Sequence, residues 1–220
     1  MARSSSASRK TVVGIDSNFD DFTLAAFQYR ERKVYPYFQR KGFTVDKYQG
    51  SGAQRIFVAA GTTDPGVIYL TGVGHGSDPY TFTGQHYDPV FQVGNYTPDE
   101  PKGKVVHFLS CKTGLRLGPD FVEHGCLAFF GYADDFLFTS EDQDLFFECD
   151  SEIDRAFADG LTAAQVYERV KALFAKRVAA FRARGKQDEA AQLESDFDLL
   201  RCPSSTPGGS AWGDPRARLI

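Results

Sequence analysis

Short uninterrupted apolar runs alternate with amphipathic stretches through the first two thirds of the chain. Residues 11–16 (TVVGID), 66–73 (GVIYLTGV), 104–110 (KVVHFLS) and 126–132 (CLAFFGY) are brief and bounded by polar or turn residues. Each reads as a buried strand. Between them, Phe22, Ala25, Ala26 and Tyr29 lay an apolar face along a helix over residues 19–29. Residues 51–60 read as another helix, stopped by Gly61 and the Asp64-Pro65-Gly66 turn, and residues 119–124 as a third, ended by Gly125. Residues 34–39 alternate weakly and read as a further strand.

Residues 77–100 break this rhythm. Gly, Pro, Tyr, Asn and Asp punctuate short stretches at 80–83 and 90–93, which predicts a small hairpin on the rim. The last third is helical, with one helix expected over 144–158. Thr162 marks the start of a longer helix, in which Val166, Val170, Leu173, Phe174, Val178 and Phe181 recur at helical spacing until Gly185. Another helix is expected over 188–200, and residues 201–213 read as loop. Residues 1–10 read as a disordered tail and 11–220 as one domain. Strands alternating with helices predict an α/β fold, with a mostly parallel central sheet and helices on both faces.

Composition narrows the classes. A chain of 220 residues, 42% hydrophobic and 25% charged, suits one globular domain. A net charge of -4 without a basic stripe argues against nucleic acid as a partner. No apolar run approaches the roughly 18 residues needed to cross a membrane. The opening MARSSSASRK is followed by an apolar segment too short for a secretory signal. A cytoplasmic protein is expected. Cys111, Cys126, Cys149 and Cys202 lack metal-ligand spacing and are expected to be free thiols, with no metal or cofactor implied.

Two strands end in reactive side chains. The 66–73 run leads into Gly74-His75-Gly76, and the 104–110 run leads into Cys111. In an open parallel sheet such groups collect beyond the carboxyl ends of the strands. A thiol and an imidazole meeting there form a nucleophile and its general base. The amides of Gly76 and Cys111 are candidate oxyanion donors. The plainer alternatives are a packing cysteine and a histidine that merely closes a strand end. Cys126 opens an apolar run and Cys149 lies within a helix, so both read as core thiols. Gly72-x-Gly74-x-Gly76 has neither the dinucleotide spacing nor the Gly-Lys-Ser/Thr ending of a phosphate loop, which leaves phosphate binding a weak rival.

The segments VIYLTGVGHGSD and KVVHFLSCKTG resemble the His-Gly and Cys motifs of the caspase-like clan of cysteine peptidases. GCLAFFGYADDF, residues 125–136, resembles the small-residue strand that follows the Cys helix in bacterial members. AWGDPRARL, residues 211–219, is similar to the Gly-Asp-Pro ending of gingipain-like and CHAT-type domains. The resemblance implies a caspase-like three-layer α-β-α sandwich. It implies Cys111 as nucleophile, His75 as general base and acid, and peptide cleavage through an acyl-enzyme thioester, without a metal in the chemistry. The partners implied are a protein or peptide substrate and an activating protein, ion or self-cleavage, with residues 77–100 and 134–144 as places for regulation.

Several relatives that cut after a basic residue carry an acid two positions before the Cys, where this chain has Leu109. Asp16 ends the first strand and Asp134 and Asp135 follow the CLAFFGY strand, places from which family members line the specificity pocket, and acids there would attract Arg or Lys. The competing reading of such an Asp is a helix cap or a solvated loop. Glu141, Asp142 and Asp144 lack the calcium-loop pattern. The rival function from another class is a non-catalytic caspase-like module that binds a protein partner.

Overall fold

The computed structural model describes residues 10–205 and 209–219; the expected tail falls almost wholly on residues 1–9, outside them. Six strands form one sheet in the order β2-β1-β3-β6-β7-β8. These are β1 (Thr11–Asp16), β2 (Thr44–Gln49), β3 (Val67–Val73), β6 (Val105–Leu109), β7 (Ala128–Tyr132) and β8 (Leu200–Arg201). All pairings are parallel except that of β7 with β8. A separate antiparallel hairpin joins β4 (Thr81–Thr83) to β5 (Pro89–Gln92).

Strand alternation divides the apolar side chains between two cores. Val12, Tyr69, Val105 and Phe130 face one side. There they meet α1 (Asp21–Lys33), α2 (Tyr35–Arg40), α5 (Gln143–Asp150), α6 (Glu152–Ala158), α7 (Ala163–Ala183) and α8 (Gln187–Leu199). Val13, Ile15, Leu70, Val106 and Phe108 face the other, under α3 (Arg55–Thr62), α4 (Leu117–Glu123) and the β4–β5 hairpin. A sheet buried on both faces needs near-continuous apolar strands, which accounts for the unbroken runs in the sequence. The α/β class and the mostly parallel central sheet expected from the alternation are what forms.

Three elements differ from expectation. Residues 34–39 are helical: Tyr35 and Phe38 bury one face of α2, and Pro36 sits in its first turn, where a missing N–H costs nothing. The sheet edge is instead β2, a half-exposed strand carrying Asp46 and Lys47. The expected 144–158 helix is two helices meeting at Ser151. Two residues of the region expected to close α8 and begin a loop pair with β7 as β8.

Parallel pairing sets the carboxyl ends of β1, β3 and β6 on one edge. The register aligns Asp16 with Val73 and Val73 with Leu109. Among the described residues no helix is long and apolar enough to cross a membrane.

Candidate active site

The two motif-bearing strand ends touch through backbone. Gly74 N–H donates to Leu109 O at 3.3 Å. A Cβ on Gly76 would lie 1.6 Å from the Cys111 carbonyl oxygen, and one on Gly74 would lie 1.9 Å from that of Thr83. Both glycines are therefore required by chain packing, which removes the need for a bound phosphate to explain them. The Thr83 N–H and hydroxyl each donate to His75 O at 2.9 Å, tying the rim hairpin to the His75 loop. Lys112, directly after Cys111, adopts a left-handed backbone with φ of 61°. Non-glycine residues held there concentrate at functional sites. Among the described residues, the N–H groups of Gly76 and Cys111 donate no hydrogen bond, as an oxyanion site requires.

His75 is oriented by a residue that sequence reading did not single out. Its Nε2 lies 2.5 Å from Asp20 Oδ2. Asp20 also caps α1, its other oxygen accepting the Thr23 N–H at 2.9 Å. Partial burial pushes the Asp20 carboxyl up. Hydrogen bonds from the Thr23 amide, the His75 ring and the Thr23 hydroxyl outweigh that and hold it below the ordinary carboxylate range. An ionised Asp20 accepts Nε2–H, a tautomer assigned from the partner, and that leaves Nδ1 as the basic nitrogen. Phe22 and Tyr87 flank the imidazole at centroid distances of 5.6 and 5.1 Å, with Tyr87 stacked and Phe19 edge-on. His86 and Tyr87 both have left-handed backbones, φ 53° and 61°.

Cys111 is only partly exposed. Burial pushes its thiol up to about 11. The Asp135 carboxylate adds to that rise, while the Phe136 amide and Lys112 oppose it. The sulfur is therefore a thiol at neutral pH, directed toward the 135–136 backbone turn. Among the described residues no hydrogen bond joins it to His75. Lys112 Nζ lies 3.1 Å from Asp135 and 3.9 Å from Asp134. Both acids are largely solvent-facing, with side chains 53% and 64% exposed.

The expectation for Asp16 is corrected. It is fully buried; one oxygen accepts from Arg30 Nε at 2.9 Å and from Val73 N–H at 3.2 Å, while the other takes the Tyr35 hydroxyl. No face of that carboxylate is open to a ligand. The structure thus brings His75, Cys111, Gly76, Asp134 and Asp135 to one sheet edge and sets Asp16 beneath it. Cys126, Cys149 and Cys202 are buried free thiols, each pushed up by burial.

A carboxylate, an imidazole with its second nitrogen free, and a thiol along one edge can carry nucleophilic acyl transfer once the sulfur turns toward His75. Such bonds are often unformed before substrate arrives. The sequence signal for Asp20 was the helix-start pattern Asp20-x-x-Thr23 just after β1. Its meaning depended on β1 lying next to β3, which residue spacing does not reveal. Compared with protein-family models and with curated proteins, the chain matches none.

Proposed function

We propose that this chain is a caspase-like cysteine endopeptidase working through Cys111 and His75, with Asp20 as the residue that positions His75. The observation that carries the reading is the Asp20–His75 pair, set on a loop whose backbone abuts Cys111. Cys111 Sγ attacks the scissile carbonyl carbon and its proton passes to His75 Nδ1. The Gly76 and Cys111 amides donate to the oxyanion that forms. Collapse of the intermediate expels the amine, which takes the proton from His75, and leaves an acyl thioester. Water, deprotonated by His75, then releases the acid and regenerates the thiol. Asp20 holds the imidazole and offsets its charge, as the carboxylate does in serine-protease triads.

Asp134 and Asp135 supply a preference for Arg or Lys at the cleavage position, an incoming cation displacing Lys112 from Asp135. The same cation engages Asp135, the carboxylate that the sulfur faces, and so frees the sulfur to turn toward His75. An activating protein, an ion or self-cleavage would act on residues 77–100 or 134–144, and four free thiols suit a cytoplasmic setting.

A second reading, a non-catalytic binding module, is favoured by one observation: the sulfur faces Asp135 and the Phe136 amide, with no hydrogen bond to His75 among the described residues. A fluorogenic peptide library assayed with and without calcium separates the two. Turnover by wild type, abolished in Cys111→Ala and lowered at least tenfold in Asp20→Asn, is the expected result. Asn keeps the helix cap, so the Asp20 effect is read on kcat rather than on folding. Silence from wild type, together with no labelling of Cys111 by an electrophilic peptide, would decide for the binding module.

A further inference from the structure

Beside the His75–Cys111 edge, between the first turn of α1 and the segment after β7, lies an open cleft of about 400 Å³. That volume falls within the roughly 300–1,000 Å³ of small-ligand clefts. Phe136, buried, is among its lining residues; Phe22 and Phe138 line it part-buried, and Leu137 lines it with 53% of its surface exposed. The polar lining includes Asp21 and Gln143.

Two features tie this cleft to the site. The Phe22 ring lies 5.6 Å from the His75 ring on one side and 5.2 Å from Phe138 on the other. The Phe136 amide reaches the Cys111 sulfur. The wall is anchored, since Leu137 N–H donates to the buried Asp196 at 3.2 Å and Phe138 packs on Phe147 at 4.7 Å. It is a preformed hollow whose wall residues Phe22 and Phe136 neighbour His75 and Cys111.

We infer that the cleft is a specificity subsite for a large apolar side chain of a peptide, Leu or Phe, one or two residues before the cleavage position. The inference rests on the peptidase reading and deepens it. The chemistry of the lining selects the occupant. Four of the seven lining side chains are apolar, and the one charged group among them, Asp21, is solvent-exposed. Asp21 at the rim, with Asp134 and Asp135 nearby, repels an acidic residue. A basic residue finds a pair of counter-charges at Asp134 and Asp135, against the single Asp21 of this cleft. The exposed Leu137 is then an apolar contact waiting for the substrate.

The test uses full-length Cys111→Ala protein, which binds peptides without cutting them, and fluorescein-labelled peptides of the form Ala-X-Arg-Ala and X-Ala-Arg-Ala. X is Leu, Phe, Ala, Asp or Lys, and affinity is read by anisotropy. At one of the two positions, Leu or Phe is expected to bind about tenfold or more tighter than Ala and tighter still than Asp, as filling an apolar pocket implies. Adding Leu137→Asp, at an exposed position that tolerates the change, is expected to erase that advantage. Equal affinities at both positions, absence of any binding, or a preference indifferent to Leu137→Asp would overturn the subsite. Wild-type cleavage of the same peptides answers the separate question: apolar preference without any Cys111-dependent cleavage would sink the peptidase reading and keep the cleft.

Discussion

At the scale of single residues, the Cys111 sulfur is held between opposing charges. Asp135 holds the proton on the thiol and Lys112 draws it off, with burial the largest influence, and the outcome is a group pushed up to about 11. Thiolate is the reactive form, so the neutral-pH population is small. Removing the Asp135 charge lowers the thiol pKa and enlarges that population. Asp135→Asn is therefore expected to speed alkylation of Cys111 by iodoacetamide several-fold at pH 7.5. The midpoint of the pH–rate curve should move down from about 11, with the modified residue identified by mass spectrometry. An unchanged midpoint would mean that Asp135 is not the neighbour that restrains the sulfur. Within the proposed mechanism the same variant weakens cleavage after Arg or Lys, so reactivity and selectivity should move in opposite directions.

At the scale of elements, the site exists because two strand-end loops approach more closely than side chains allow. Gly76 lies against the Cys111 carbonyl, and a methyl group at 1.6 Å from that oxygen forces the loops apart. Overpacking of this kind costs about 1–3 kcal/mol. Gly76→Ala is expected to lose that much stability in urea denaturation and to displace both amides from a shared oxyanion position. Gly52→Ala, with nothing within 4 Å of the added carbon, serves as the tolerated control. Equal stability of the two variants would contradict the close approach.

The same elements show what residue patterns reveal. β3 and β6 were legible, with their reactive ends, because a strand buried on both faces must be almost wholly apolar. β2 was not: an edge strand half in water carries Asp46 and Lys47 among Val45 and Tyr48, and its pattern is weaker than that of the preceding helix. The rim hairpin was legible from its turn residues. Its contacts, Thr83 on His75 O and Tyr87 on the imidazole, depend on tertiary approach. Asp16 reads in sequence like any acid at a strand end. Only Arg30, brought over by α1, fixes it as a buried partner.

At the scale of the whole molecule, buried ionisable groups run beneath the sheet edge and link the site to distant helices. Arg30 bonds Asp16 and Asp154, and His107 lies 3.1 Å from Asp150 and 3.3 Å from Asp154, all essentially without exposed surface. Burial lowers His107, yet the two carboxylates outweigh it and raise the imidazole to about 9, so this histidine is charged at neutral pH. Its folded value lies above its unfolded one. Its stabilisation is therefore complete below about 6.5 and lost as pH rises through about 9.

Asp196 on α8 titrates with the same sign in an adjacent window. Burial pushes it from 3.8 up to about 7, and the like charge of Asp150 adds a little, against hydrogen bonds from the Leu137 amide and Gln192. The folded protein thus holds this proton more firmly than the unfolded chain between about 4 and 7. Stability falls as pH rises through that window, and above it the cost of a buried carboxylate is fully present. Asn keeps an acceptor for the Leu137 N–H and carries no charge. Asp196→Asn is accordingly expected to match wild type near pH 4 and to exceed it above pH 7, by at most about 4 kcal/mol. Urea denaturation across that range reads the difference directly. A gap that stays constant with pH would show that Asp196 is ionised in the folded protein throughout. A gap that opens through neutrality would show that the anchor of the segment beside Cys111 changes its charge there, well below the thiol's own titration at about 11.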